Sequence, residues 1–147
     1  MRSSGQGHET AGGAGPFFPK SVKRDIMQGS GEMKVRTYTI EDASFERSPD
    51  QDCDVFTANL VDERHGAPVT IGYGRYGPNQ SLTEKMAVDD VMIVLEGSLQ
   101  ITSDERTDLV GPGGIVHMPK GEAVTIKAMD EGAVTAYVTY PHWREAR

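Results

Sequence analysis

Hydrophobic and polar residues alternate with a period of two along most of this chain beyond residue 30. Met33–Thr39 and Cys53–Asn59 each alternate β-formers with polar residues, the pattern of a half-buried strand. Val69–Tyr76, Leu82–Val88, Val91–Leu95, Leu99–Thr102, Ile115–Met118, Ala123–Ala128 and Ala133–Tyr140 continue the series. Turn formers separate them: His65-Gly66-Ala67-Pro68, Gly77-Pro78-Asn79, Glu96-Gly97-Ser98, Gly111-Pro112-Gly113-Gly114 and Pro119-Lys120-Gly121. No window of helical length shows a 3.6-residue period with a cap at each end. About nine short strands at this spacing predict an all-β fold, an antiparallel sandwich or barrel.

The first residues break the pattern. Residues 1–20 are rich in Gly and Ser, with Pro16 and Pro19 bracketing Phe17-Phe18, and read as a loosely held leader or a docking tail. The division expected is a flexible extension over residues 1–30 and one domain over 31–147. A length of 147 residues suits one core. The 17 glycines and 8 prolines belong partly to this leader and partly to tight turns.

Charge and cysteine usage narrow the partners. The net charge of −7 opposes non-specific binding to nucleic acid or to an anionic membrane. No apolar stretch approaches the ~20 residues of a membrane-spanning helix, and residues 1–15 lack the apolar core of a secretory signal. The single cysteine, Cys53, forms neither an internal disulfide nor a zinc-ribbon pattern. A cytoplasmic protein is the expectation.

One motif misleads. Gly72-Tyr73-Gly74-Arg75-Tyr76-Gly77 matches G-x-G-x-x-G, which binds dinucleotides only where it opens a helix inside a βαβ unit. Here Pro78-Asn79-Gln80 and another strand follow, so nucleotide binding is not expected.

Two other segments carry a resemblance. Gly113, Pro119, Gly121 and Val124 follow the second cupin motif, G-x5-P-x-G-x2-H, with valine at the histidine position. Anchored on Gly97, the first motif places Asp90 at its glutamate, and Met86 and Glu84 at its two histidines. Within the cupin superfamily the chain resembles the EutQ-like branch, named for the ethanolamine-utilisation protein. The phrases that carry it are Val91-Met92-Ile93-Val94-Leu95-Glu96-Gly97, Pro112 to Gly121, and Ala136-Tyr137-Val138-Thr139-Tyr140-Pro141-His142-Trp143, spanning roughly Pro68 to Trp143. The resemblance implies a single cupin jelly-roll β-barrel of two packed antiparallel sheets. It also implies a homodimer, with residues 16–40 as a segment that could cross between subunits.

The departures bear on function. Cupins of the metal-binding kind use three imidazoles and a carboxylate, suited to borderline divalent metals. Glu84, Met86, Asp90 and Val124 stand in those places, and a thioether and an isopropyl group do not replace imidazole. No metal is expected at the usual site. A weakly held divalent ion on Glu84, Asp90 and His117 stays open as an alternative.

Alternation puts Leu82, Glu84, Met86 and Val88 on one face, which the apolar members mark as inward. Glu84 and Asp90 are then expected to be close neighbours, one carboxyl raised by the other. Such a pair suits acid and base chemistry near neutral pH. His117 shares the parity of Ile115 and is the third catalytic candidate, a proton shuttle or a wall residue. Tyr73, Arg75, Tyr76 and Tyr137, with Met86 and Val124, are the candidate pocket lining, suited to a small polar ligand.

Two functions follow. One is a EutQ-like cupin that binds a small polar metabolite as an accessory to amino-alcohol or aldehyde catabolism, with an association with bacterial microcompartments implied by the resemblance. The other is an isomerase, lyase or hydratase using Glu84, Asp90 and His117. The resemblance also brings a proposed acetate-kinase-type activity. No phosphate cradle accompanies it in this sequence.

Overall fold

A computed structural model of the protein describes residues 34–49 and 52–143. The expected extension over residues 1–30, with its Phe17-Phe18 pair, lies outside the described residues. Residues 34–39, expected as part of a strand, take no regular structure and lead into a 3-10 turn at Ile40–Asp42. Val35, the one aliphatic residue of this stretch, is 98% exposed, so the alternation expected here buries no aliphatic side chain.

Eight strands follow: β1 (Glu46–Arg47), β2 (Val55–Val61), β3 (Thr70–Tyr76), β4 (Ser81–Lys85), β5 (Asp89–Thr102), β6 (Thr107–Val110), β7 (Ile115–Met118) and β8 (Ala123–Tyr140). All their pairings are antiparallel. The two expected strands Val91–Leu95 and Leu99–Thr102 are one continuous β5, and Ala123–Ala128 and Ala133–Tyr140 are one β8. These long strands pair with each other from Asp89↔Tyr140 to Thr102↔Thr125. The second half of β8 adds β3 on its far side, and its first half adds β4. The first half of β5 adds β7, and its second half adds β6. Each long strand thus serves both walls of a jelly-roll β-barrel.

The strands read as broken in sequence because their alternation changes phase. The β5–β8 register shifts between Val94 and Glu96 and between Gly97 and Leu99. Inward residues are Asp90, Met92 and Val94 before the shift and Leu99 and Ile101 after it. On β8 they are Val124, Ile126 and Ala128, then Ala133, Thr135, Tyr137 and Thr139. A bulge moves the alternation by one residue and bends the strand. Gly97 and Gly132 stand at the bend with φ of 68° and 72°. A Cβ on Gly97 would sit 2.0 Å from the Gly132 carbonyl oxygen, so the backbones meet there only because one of them is glycine.

The core gathers Val55, Leu82, Met92, Val94, Leu99, Ile126 and Ala128, among others. The outer face of β5, β7 and β8 is also apolar, with Leu95, Ile115, Val138 and Tyr140 exposed. Exposed apolar side chains clustered in this way suit contact with another protein surface. No helix among the described residues is long and apolar enough to cross a membrane.

Candidate functional site

A cavity of about 140 Å³ opens into the barrel between the polar inner wall and β4. Tyr76 of β3, Glu84 of β4, Asp90 and Met92 of β5, Tyr137 and Thr139 of β8, and Trp143 line it, with Thr57 and the Met86–Val88 loop. Its shape follows from local structure. β4 ends at Lys85, and the Met86 N–H donates to the Glu122 carbonyl (2.8 Å) while the Gly121 N–H donates to the Met86 carbonyl (2.8 Å). These bonds fix the loop that delivers the chain into β5. Asp89 turns outward and accepts the Lys120 N–H at 2.9 Å, and alternation turns Asp90 inward. Asp90 pairs with Met118 of β7 on one side and Thr139 of β8 on the other, so its backbone is held from both sides.

The Asp90 carboxyl is under electrostatic pressure. Its Oδ1 atom is buried and has no hydrogen-bond partner. Burial, and then the negative charge of Glu84, push its pKa up to about 7, as both effects disfavour an ionised carboxylate. Tyr76 responds in the same direction: burial, then the charges of Asp90 and Glu84, raise its pKa, so it stays a neutral donor. Its hydroxyl points to Met92 Sδ at 3.7 Å, a weak acceptor.

The opposite side is tied by Asn59. The Tyr137 hydroxyl donates to Asn59 Oδ1, and Trp143 Nε1 donates to the same oxygen at 3.1 Å. The Trp143 backbone N–H donates to Thr70 Oγ1 at 3.2 Å, which brings the indole against the cavity. Gly72 makes the Tyr137 pose feasible, since a Cβ there would stand 2.7 Å from the tyrosine hydroxyl.

The structure brings Glu84, Asp90, Tyr76, Met86 and Tyr137 together at this cavity. It separates four other candidates. His117 does share a face with Ile115, but on β7 that face is exposed while Val116 and Met118 point inward. Tyr73 and Arg75 alternate with the buried Gly72 and Gly74 and so lie on the outer face of β3. There the Arg75 guanidinium sits 4.4 Å from the Phe45 ring centroid, and Tyr73 feels Asp42. Val124 pairs with Glu84 but packs into the core, 4% exposed, and with His117 it borders a second, open depression near Asp108 and Glu122. Sequence reasoning overlooked Asn59, Thr57, Thr139 and Trp143 as site residues. Thr139 was legible from its parity with Tyr137. The Asn59 contacts join residues 78 and 84 positions apart, and no local pattern shows that.

These residues do not fit the metal centre of metal-binding cupins. The four ligand positions carry two carboxylates, a thioether and an isopropyl group, and His117 faces away from them. Among the described residues no three His, Cys, Asp or Glu side chains group as a metal site. What the cavity offers is a carboxyl pair, a neutral phenol donor and aromatic walls.

Comparison with known proteins decides the kinship. The profile of the ethanolamine utilisation protein EutQ family matches residues 9–145. This chain belongs to the EutQ family. A structural-genomics protein of unknown function from Rhizobium leguminosarum is 61% identical, covering 75% of this chain and all of its own, with a TM-score of 0.64. The Clostridium difficile EutQ structure is 23% identical over 65% of this chain and 69% of its own, with a TM-score of 0.58. The polyketide cyclase RemF from Streptomyces resistomycificus, 22% identical over 74% of this chain and 80% of its own, has a TM-score of 0.61. The latter two show the fold alone, the cupin β-barrel expected from the motifs. No curated protein matches the chain.

Proposed function

We propose that this EutQ-family cupin binds a small polar metabolite in its barrel, as an accessory to amino-alcohol or aldehyde catabolism. The observation that supports this most is Asp90: a buried carboxyl oxygen without a partner, facing a cavity large enough for a small molecule. An unpaired buried polar atom is costly, and a ligand that donates to it removes the cost. The family's description names ethanolamine utilisation, which supports the metabolic setting. The test is a panel of short amines, aldehydes, alcohols and carboxylates added to isotope-labelled protein, read by amide shifts. Shifts clustered on β4, the start of β5 and the end of β8 are expected from at least one compound class. Shifts confined to the outer face, or none with any class, would refute the reading.

A second reading, an acid–base enzyme, is favoured by one observation. A carboxyl titrating near 7 beside a second carboxyl is suited to proton transfer at neutral pH. It loses His117 as a participant. Exchange of α-protons of short aldehydes for deuterium, catalysed by the protein and abolished in Asp90→Asn, would favour it over simple binding.

A further inference from the structure

We propose that the free edge of β7, beside β6, is a docking site for an extended basic peptide segment of another protein, added to the sheet as a further strand. The site lies apart from the barrel cavity and stands or falls independently of metabolite binding.

Strand pairing argues for it first. β6 and β7 follow one another in sequence, yet among the described residues each pairs with β5 alone. Residues 111–114 carry the chain from one wall of the barrel to the other, and an open depression of about 850 Å³ is lined from both strands. In an antiparallel ladder alternate residues turn their N–H and C=O to the neighbouring strand. The Val94 N–H donates to the Gly114 carbonyl at 3.0 Å, so alternation turns the backbone groups of Val116 and Met118 to β5. Those of Ile115 and His117 point away from it, along the free edge. On β6 the Ser103 N–H donates to the Arg106 carbonyl at 2.9 Å, and the same alternation turns the backbone groups of Leu109 outward. Such groups are the template that strand addition uses. β7, Ile115–Met118, carries neither the proline nor the lysine that usually blunts an edge.

Side chains and charge name the partner. The floor of the depression is apolar, with Val110, Val116, Met118 and Val124. Leu109 and Ile115 stand 69% and 68% exposed beside it, and aliphatic side chains exposed to that extent suit burial against a partner. The rim is acidic. Asp108 is held by Arg106, whose Nε and Nη2 reach its two oxygens at 2.7 and 2.8 Å. Arg106 is the one arginine or lysine among the lining residues, and Asp104, Glu105 and Glu122 also border the depression. These three further carboxylates set a negative field over an apolar floor. A segment of alternating aliphatic and basic residues satisfies both, with its aliphatic side chains on the floor and its Lys or Arg at the rim. An acidic segment or a nucleic acid would meet like charge.

Titration of the isotope-labelled full chain with a blocked heptapeptide of alternating lysine and valine tests this, read by amide shifts. Shifts are expected at Leu109 and Ile115–Met118, with affinity falling at least about threefold between about 0.1 M and about 1 M salt. The glutamate–valine and lysine–serine counterparts should bind at least about tenfold more weakly. So should a lysine–valine peptide with methylated backbone amides, which cannot pair with a strand edge. Glu105→Lys combined with Glu122→Lys, both at exposed positions, should weaken the lysine–valine peptide about tenfold. Equal binding by any of the three control peptides, an unchanged affinity in the double variant, shifts confined to other surfaces, or no shift at all would overturn the proposal. Shifts of the same residues with protein concentration, in the absence of peptide, would also overturn it and assign the edge to a second copy of this chain.

Discussion

The two halves of the barrel are made from the same two long strands, yet their interiors differ. Where β4 and β6 flank them, the long strands turn only apolar residues inward, Val124, Ile126, Ala128, Leu99 and Ile101, all buried. Where β3 and β7 flank them, Asp90, Thr135, Tyr137 and Thr139 stand on the inner face among the buried Met92, Val94, Val116 and Met118. Both halves add apolar side chains to the core, and the first does so with no polar group on the inner face of its long strands. The second half tolerates polar atoms, some of them unsatisfied: Asp90 Oδ1, Thr135 Oγ1 and Asn59 Nδ2 are buried without partners. The apolar half anchors the strands, and the polar half positions groups that a ligand can use. A protein of this size divides the work along the strand rather than between domains.

The sharpest way to break that contrast is in the apolar half. Leu99 has no exposed surface, and Leu99→Ala removes its methyl groups from a close-packed core. The expected loss is about 2–5 kcal/mol, measured as the urea midpoint at constant slope. A loss below about 1 kcal/mol would show that this half is not the anchor.

The polar half predicts a pH dependence of opposite sign to that of a salt-bridged carboxylate. Asp90 titrates near 7 in the folded chain against an ordinary 3.8. Between these values the folded state holds a proton that the unfolded state has released. Stability therefore falls as pH rises from about 4 to about 7, by on the order of 1.4 kcal/mol for each pH unit crossed, and does not recover above it. Asp90→Asn removes that contribution, so the variant gains on the parent protein between pH 4 and pH 8. Urea titrations at the two pH values check this, and an unchanged difference would sink the account of Asp90.

The smallest effect is expected outside both halves. His117→Ala touches an exposed side chain on the outer face of β7 and should change stability by no more than about 0.5 kcal/mol. Amide shifts caused by any cavity ligand should be unchanged in the variant. A loss of binding would return His117 to the site.

Much of the fold was legible because its signals are local. The turn glycines, the alternation and the motif spacing of Gly97, Gly113, Pro119 and Gly121 each act within a few residues. The inward direction of Glu84 and Asp90 was legible for the same reason, from parity and motif position. His117, Tyr73 and Arg75 were misplaced because alternation names two faces without saying which is inside. On β3 the inward face holds two glycines, and its outward face holds the larger side chains, the reverse of the usual cue. The glycines are small because Tyr137 and Thr135 from β8 fill the space over them.

The sequence by itself determined the strand content, the family and the replacement of imidazole by carboxylate, thioether and valine at the old ligand positions. Those are properties of residue type and spacing. The tertiary structure decided that four expected strands are two, that phase shifts at glycine bends keep one face inward through both, and that Asn59 and Trp143 close the site. It also decided the electrostatic state of Asp90. Burial and a neighbouring charge are set by distance in space, and here that distance is fixed by strands that meet only when the barrel closes.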